Sequence, residues 1–161
     1  MPDFEVSVDA RHVLRLQTAL SVDVVSAALR KHTVQPLLLL MEAEARRKAK
    51  PHGVDTGMTA RSVQSQLLPG FTPLGRVYSL NKLAPVIEVG RRPGKMPPVE
   101  PIARWAKKHG INISGFVLAR AIGRRGTKGL YFMRAAGDVG KGNLVTYVRK
   151  AADALHASWR V

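Results

Sequence analysis

Prolines and glycines cut this chain into short segments, and that punctuation limits which elements it can form. From Ser21 the apolar residues recur at helical spacing, and Ser21 stands where the first helix needs a cap. Pro36 interrupts the pattern, so it either kinks one long helix or lies in the first turn of a second one. Residues 37–49 predict a helix that ends in cations, and Pro51 and Gly53 then stop it.

Downstream of residue 57 the segments shorten and alternate between apolar and polar residues, as half-buried strands do. Strands of an antiparallel sheet are predicted over residues 62–68, 74–80 and 84–89. A further short strand is predicted near the amino terminus, where Phe4, Val6 and Val8 alternate with polar residues. Helical spacing returns over residues 101–110, 116–122 and 144–159.

These elements predict an α+β fold in one domain over residues 1–161, without a linker or an internal repeat. Its parts are a long N-terminal helical segment, a small antiparallel sheet, a projecting basic hairpin or loop, short helices and a C-terminal helix. The apolar patch at residues 130–133 is expected to belong to the core.

Composition narrows the class of protein. Twenty-six Lys and Arg against 11 Asp and Glu give a formal net charge of +15, which attracts polyanions or acidic protein surfaces. The chain has no cysteine, which excludes disulfides and thiolate metal sites. Its longest strongly apolar run, residues 36–41, is far shorter than the ~20 residues of a membrane span. Acidic Asp3 and Glu5 stand where a signal peptide would be basic, so we expect a soluble, unprocessed protein with no membrane partner.

No catalytic or cofactor-binding pattern stands out. The histidines are scattered singly, without the spacing that would place two metal ligands on one helical face. The GRRPGK segment that begins at Gly90 has one residue too few between its glycines for a phosphate-binding loop, and Met96 stands where that loop needs Ser or Thr. We therefore expect a protein that is not an enzyme and that holds no cofactor and no metal.

Positive charge is concentrated in residues 89–134, where eleven Lys and Arg face a single carboxylate, Glu100. This segment could contact the DNA backbone, meet an acidic patch on a neighbouring protein, or simply be a solvated face. The residues assigned to DNA or to an acidic partner are Arg104, Lys107, Lys108, Arg124, Arg125 and Lys128.

Two segments are candidates for contacts between subunits. Five consecutive apolar residues on a helix, 37–41, cannot all face one core, so a neighbouring subunit should cover part of the run. The second candidate is the basic segment 90–98. The interface residues assigned from these segments are Leu37, Leu39, Leu40, Met41, Arg91, Arg92, Lys95 and Met96.

The order of several motifs resembles the tail-completion and head-to-tail joining proteins of long-tailed bacteriophages, which are also called virion morphogenesis or minor tail proteins. The motifs are Val54-Asp55-Thr56-Gly57 followed by Arg61-Ser62, then residues 84–90, 98–105, 119–129 and 131–136. Asp55, Thr56 and Gly57 are expected to form a structural turn with a positive φ at Gly57.

The resemblance implies a ring, most often of six subunits, that caps the tail tube and lets the filled head dock. Its partners would be further copies of itself, the tail tube or terminator protein, and head connector or adaptor proteins, with transient contact to packaged DNA. The expected location is the neck or tail terminus of a virion, and the host cytoplasm during assembly. Many of the basic residues are expected to meet acidic partners rather than DNA. The alternative is a nucleic-acid-binding accessory protein that uses residues 89–134 without sequence specificity.

Overall fold

The computed structural model of this protein describes residues 21–49 and 57–159. Three predicted features lie outside the described residues: the amino-terminal strand, the helix stop at Pro51 and Gly53, and the turn residues Asp55 and Thr56. The contacts of the chain divide it into two units. The described parts of the first unit are residues 21–37, 67–76 and 143–159, and those of the second are residues 38–49, 57–66 and 77–142.

The described part of the chain begins with a long helical segment, as predicted. Helix α1 (Val22–Leu29) leads through a π-helical turn (Arg30–Val34) into helix α2 (Gln35–Ala49). Helical geometry continues from Val22 to Ala49 without a break, so Pro36 lies within one long helical segment, directly after its π turn. Its ring would collide with a carbonyl one turn earlier, and the wider π turn in front of it removes that conflict.

Two small sheets follow. A short helix α3 (Met58–Ser62) precedes strands β1 (Val63–Leu67) and β2 (Gly75–Ser79), which pair with each other as predicted. Gly57 has the expected positive φ, 65°. Strands β3 (Gly90–Arg91) and β4 (Thr127–Lys128) form a second, antiparallel pair with Gly90 opposite Lys128. The basic segment therefore continues from β3 as a loop, and its strand partner lies far along the chain.

The third predicted strand is wrong, because residues 84–89 form helix α4 (Ala84–Val89). Pro85 could not donate to a strand ladder, and its fixed φ suits the first turn of a helix. Helical geometry also places Ala84 and Ile87 on one face, where both contribute to the core.

Three longer helices complete the fold, namely α5 (Val99–Lys108), α6 (Gly115–Arg125) and α7 (Phe132–Trp159). All three were predicted, but α6 and α7 are longer than expected, and α7 begins twelve residues earlier. Gly110 has a φ of 66° and ends α5 as predicted. Along residues 21–49 and 57–159, no helix combines the length and the apolarity needed to cross a membrane.

In the first unit, Arg30 organises the connection between β1 and β2. Its guanidinium donates to the carbonyl oxygens of Leu68 and Thr72, each at 3.2 Å, and also to that of Gly70. Ser26 Oγ donates to Phe71 O at 2.5 Å. These side-chain bonds satisfy carbonyls that a loop leaves without strand partners.

The core of the second unit gathers around Phe132, which is fully buried. The other buried members of the cluster are mostly small: Ala45, Ala49, Ala60, Val63, Ala84 and Ala136. Arg46 ties α2 to the start of β1 by donating from Nε and Nη2 to Val63 O at 3.2 and 2.9 Å. The patch at residues 130–133 thus belongs to the core as expected, although Tyr131 remains 47% exposed.

Truncating Phe132 tests this core. Phe132→Ala should lower the free energy of unfolding by about 3–5 kcal/mol, because it removes the largest fully buried side chain among the described residues and leaves a cavity. Phe116→Ala is the matched control, since Phe116 is 50% exposed and should cost far less. Urea unfolding followed by circular dichroism measures both. Equal losses would contradict the central position of Phe132.

Candidate interaction surfaces

Within the second unit, two segments run in direct backbone contact, and we call this contact the glycine junction (residues 87–94 against 123–131). Leu130 N donates to Ile87 O at 2.9 Å, and Tyr131 N donates to Glu88 O at 3.1 Å. A Cβ added to Gly126 would overlap the carbonyl oxygen of Arg91, and Gly126 also has a φ of 72°. Only glycine satisfies both conditions, so the close approach of the two backbones requires glycine at position 126.

Glu88 joins α4 to the beginning of α7. The backbone N–H groups of Met133 and Arg134 donate to its two carboxylate oxygens at 2.9 and 3.0 Å. A carboxylate in this place satisfies two donors that a helix start leaves unpaired and complements the positive end of the helix dipole. Sequence reasoning missed this role because it placed Glu88 on a strand, although a lone carboxylate among apolar residues was a visible signal.

The glycine junction also brings two similar basic hexapeptides together. Residues 90–95 read GRRPGK and residues 123–128 read GRRGTK, and the two run antiparallel. Gly94 N donates to Gly123 O at 2.8 Å, which extends the contact beyond the strand pair. Together the two adjacent hexapeptides carry six cations, which we call the six-cation cluster: Arg91, Arg92, Lys95, Arg124, Arg125 and Lys128.

Sequence analysis assigned three of these cations to subunit contacts and three to DNA or an acidic partner. In the structure the two segments that carry them lie side by side. Both hexapeptides begin with Gly-Arg-Arg, and this repeat was a sequence signal that could have linked the two sets of cations. Arg91 is half-buried and donates to Lys95 O, while Arg91 N donates to Thr127 Oγ1 at 3.1 Å. The other five cations of the cluster are exposed.

The remaining predicted basic residues belong to α5 rather than to the hexapeptides. Arg104, Lys107 and Lys108 are exposed along that helix. Lys107 and Lys108 occupy its last turn, where cations interact favourably with the negative end of the dipole. Helix α5 packs closely on α6, since a Cβ added to Gly115 would lie 2.5 Å from Ala103 Cβ.

The apolar run on α2 does not face one core. Leu38 is only 8% exposed and Met41 packs against the core of the second unit, whereas Leu39 is 58% exposed. Leu37 and Leu40 are half-buried. One side of this helix thus presents a large apolar side chain without cover from its own unit.

Helix α4 presents a second apolar surface that the sequence did not predict. Leu83, Val86 and Val89 are 62%, 48% and 65% exposed, and their spacing of three places them on one helical face. We call them the α4 stripe. Beside α4 lies an open groove of about 470 Å³, whose lining includes Val77, Leu80, Pro85, Phe132 and Met133.

No protein-family model, no curated protein and no solved structure matches this chain. Among the described residues, no group of three or more His, Asp or Glu side chains is arranged to hold a metal ion. The function must therefore be inferred from these surfaces and from the order of the sequence motifs.

The Glu88 cap leads to a stability prediction. Glu88→Ala should lower the free energy of unfolding by about 0.5–2 kcal/mol, because two N–H groups at the start of α7 lose their acceptor. Glu88→Gln should cost less, since the amide keeps one acceptor oxygen. Asp138→Ala removes an exposed carboxylate from the same helix and should have little effect. Thermal unfolding compares the three variants, and a loss no larger for Glu88→Ala than for Asp138→Ala would argue against the cap.

Proposed function

We propose that this protein is a structural component of a tailed bacteriophage virion. In this proposal it forms an oligomeric ring at the neck or tail terminus, completes the tail and joins it to the head, without catalysing a reaction. The observation that carries the proposal is the exposure of large apolar side chains on the second unit, namely Leu39 on α2 and the three residues of the α4 stripe.

Uncovered apolar surfaces of this kind support assembly. Large apolar side chains exposed together mark sites of protein–protein contact. A ring needs heterologous contacts, in which one surface of a subunit meets a different surface of the next. Leu39 and the α4 stripe lie on different helices of one unit and are of matching chemistry, so each can serve as one half of such a contact.

The phage context rests on the order of the motifs. The sequence motif that ends at Gly57, the segment 84–90 and the aromatic residues at 131–136 occur in an order that resembles tail-completion proteins. In the structure, the second and third of these motifs meet at the glycine junction, where Glu88 caps α7. The proposed partners are further copies of the chain, about six in all if the resemblance holds, with the tail tube or terminator and the head connector on either side.

Electron microscopy of the purified protein, alone and mixed with tails from the cognate phage, tests the proposal. The expected result is a ring at the end of the tail tube. Light scattering of the free protein shows whether the ring forms before or only upon contact with the tail. A protein that remains monomeric, leaves the tails uncapped and is absent from purified virions would overturn the proposal.

Adjacent leucines on α2 offer a matched pair of variants. Leu39→Asp should leave the fold intact and abolish ring formation, because the aspartate replaces an exposed contact residue. Leu38→Asp should unfold the protein, because it buries an unpaired charge. Circular dichroism reports the fold and light scattering the assembly. Rings that form normally with Leu39→Asp would remove α2 from the interface.

Salt dependence tests what drives assembly. Copies that each carry +15 repel one another, and salt screens that repulsion while apolar contacts persist. Raising the salt from about 50 to about 500 mM should therefore favour the ring, since the Debye length falls well below 10 Å. Sedimentation velocity measures the oligomer across the series. Dissociation of the ring with added salt would show that ion pairs rather than apolar contacts hold it together.

A further inference from the structure

We infer that the six-cation cluster binds the phosphate backbone of duplex DNA without reading the base sequence. The inference goes beyond ring formation and uses different side chains from Leu39 and the α4 stripe. It departs from the sequence-based expectation that the basic residues mostly meet acidic proteins.

The geometry of the glycine junction supports a preformed site. Gly90 pairs with Lys128, Gly126 packs on the backbone of Arg91, and Gly94 bonds to Gly123. Because these contacts join backbone to backbone, the two hexapeptides hold a fixed separation. Their cations do not have to be gathered when a ligand arrives, which lowers the entropic cost of binding.

Within residues 89–134, positive side chains far outnumber negative ones. Glu100 is the sole carboxylate between residues 89 and 134, against eleven Lys and Arg. Four of the six cations in the cluster are arginines, whose planar guanidinium groups suit phosphate oxygens. The two hexapeptides therefore offer several charge-assisted donors to a polyanion.

The composition of the hexapeptides favours DNA over an acidic protein. Among their twelve residues there is no aliphatic side chain larger than proline and no aromatic one. Protein–protein interfaces need an apolar centre, whereas protein–DNA interfaces are more polar and more positive. The lack of aromatic residues also favours duplex over single strands, which bind by stacking their bases on aromatic rings.

The test uses two triple variants that each remove three positive charges. The cluster variant is Arg92→Gln, Lys95→Gln, Lys128→Gln, and all three positions are exposed. The control variant is Arg104→Gln, Lys107→Gln, Arg120→Gln, at exposed positions outside the hexapeptides. Fluorescence anisotropy measures binding to a random-sequence duplex over a range of salt concentrations, and circular dichroism confirms that each variant is folded.

If each cation neutralises one phosphate, affinity of the wild-type protein should fall about 2,000-fold between about 50 and 200 mM salt, and that of the cluster variant about 40-fold. The control variant should keep the wild-type salt slope. A charge-preserving variant at the same three positions, Arg92→Lys, Lys95→Arg, Lys128→Arg, should keep it as well and guards against loss through misfolding.

Three outcomes would overturn the inference. The first is no DNA binding by the wild-type protein at low salt. The second is equal loss in both triple variants, which would mean that the overall charge binds DNA without a defined site. The third is preferential binding of a polyglutamate peptide over the duplex, which would assign the cluster to an acidic protein. Light scattering of the same samples reports ring formation separately, so failure of this inference and failure of the proposed assembly give different results.

Discussion

Backbone-to-backbone contact at the glycine junction is the constraint on which the second unit depends. Because Gly126 lies directly against the carbonyl of Arg91, no side chain can separate the two segments there. The same approach brings Glu88 to the start of α7 and places Phe132 in the core. It also aligns the two basic hexapeptides and turns the α4 stripe away from the core. One local steric requirement thus supports the core and two candidate surfaces.

The parts of the fold that could be predicted from sequence are those governed by local periodicity. Helix α5 and strands β1 and β2 carry their own spacing and are bounded by proline or glycine. Helix α4 was missed because a six-residue apolar segment fits strand alternation as well as helical spacing. The hydrogen bonds from residues 133–134 to Glu88 join α4 to a segment some forty-five positions away, which the sequence pattern does not show. The first turns of α7 were hidden by Gly137, Gly140 and Gly142. Gly140 packs against Met41 Sδ, where a Cβ would lie at 2.6 Å, so tertiary packing overrides its low helix propensity.

The candidate surfaces likewise include features that the sequence predicts and features that depend on tertiary contacts. That residues 37–41 cannot share one core follows from helix geometry alone, and Leu38 and Leu39 lie on opposite sides of that division. The concentration of charge in residues 89–134 is equally visible in the sequence. What the sequence could not supply is that residues 90–95 and 123–128, some thirty positions apart, lie side by side. That contact requires backbone clearance at Gly90 and Gly126, where a Cβ would overlap the carbonyl oxygens of Thr127 and Arg91. Hydrophobic periodicity carries no information about such clearance.

The two proposed activities are coupled through charge. Apolar contact between copies must overcome the mutual repulsion of chains that carry +15 each, and at low salt this repulsion extends over about 10 Å or more. A duplex bound at the six-cation cluster would neutralise part of that charge and would therefore favour assembly, and assembly would favour DNA binding by the same free energy. Added salt also weakens the repulsion between copies, as bound DNA would, but it competes with DNA for the cations of the cluster. DNA should therefore promote ring formation most strongly at low ionic strength, where the free protein has least tendency to form rings.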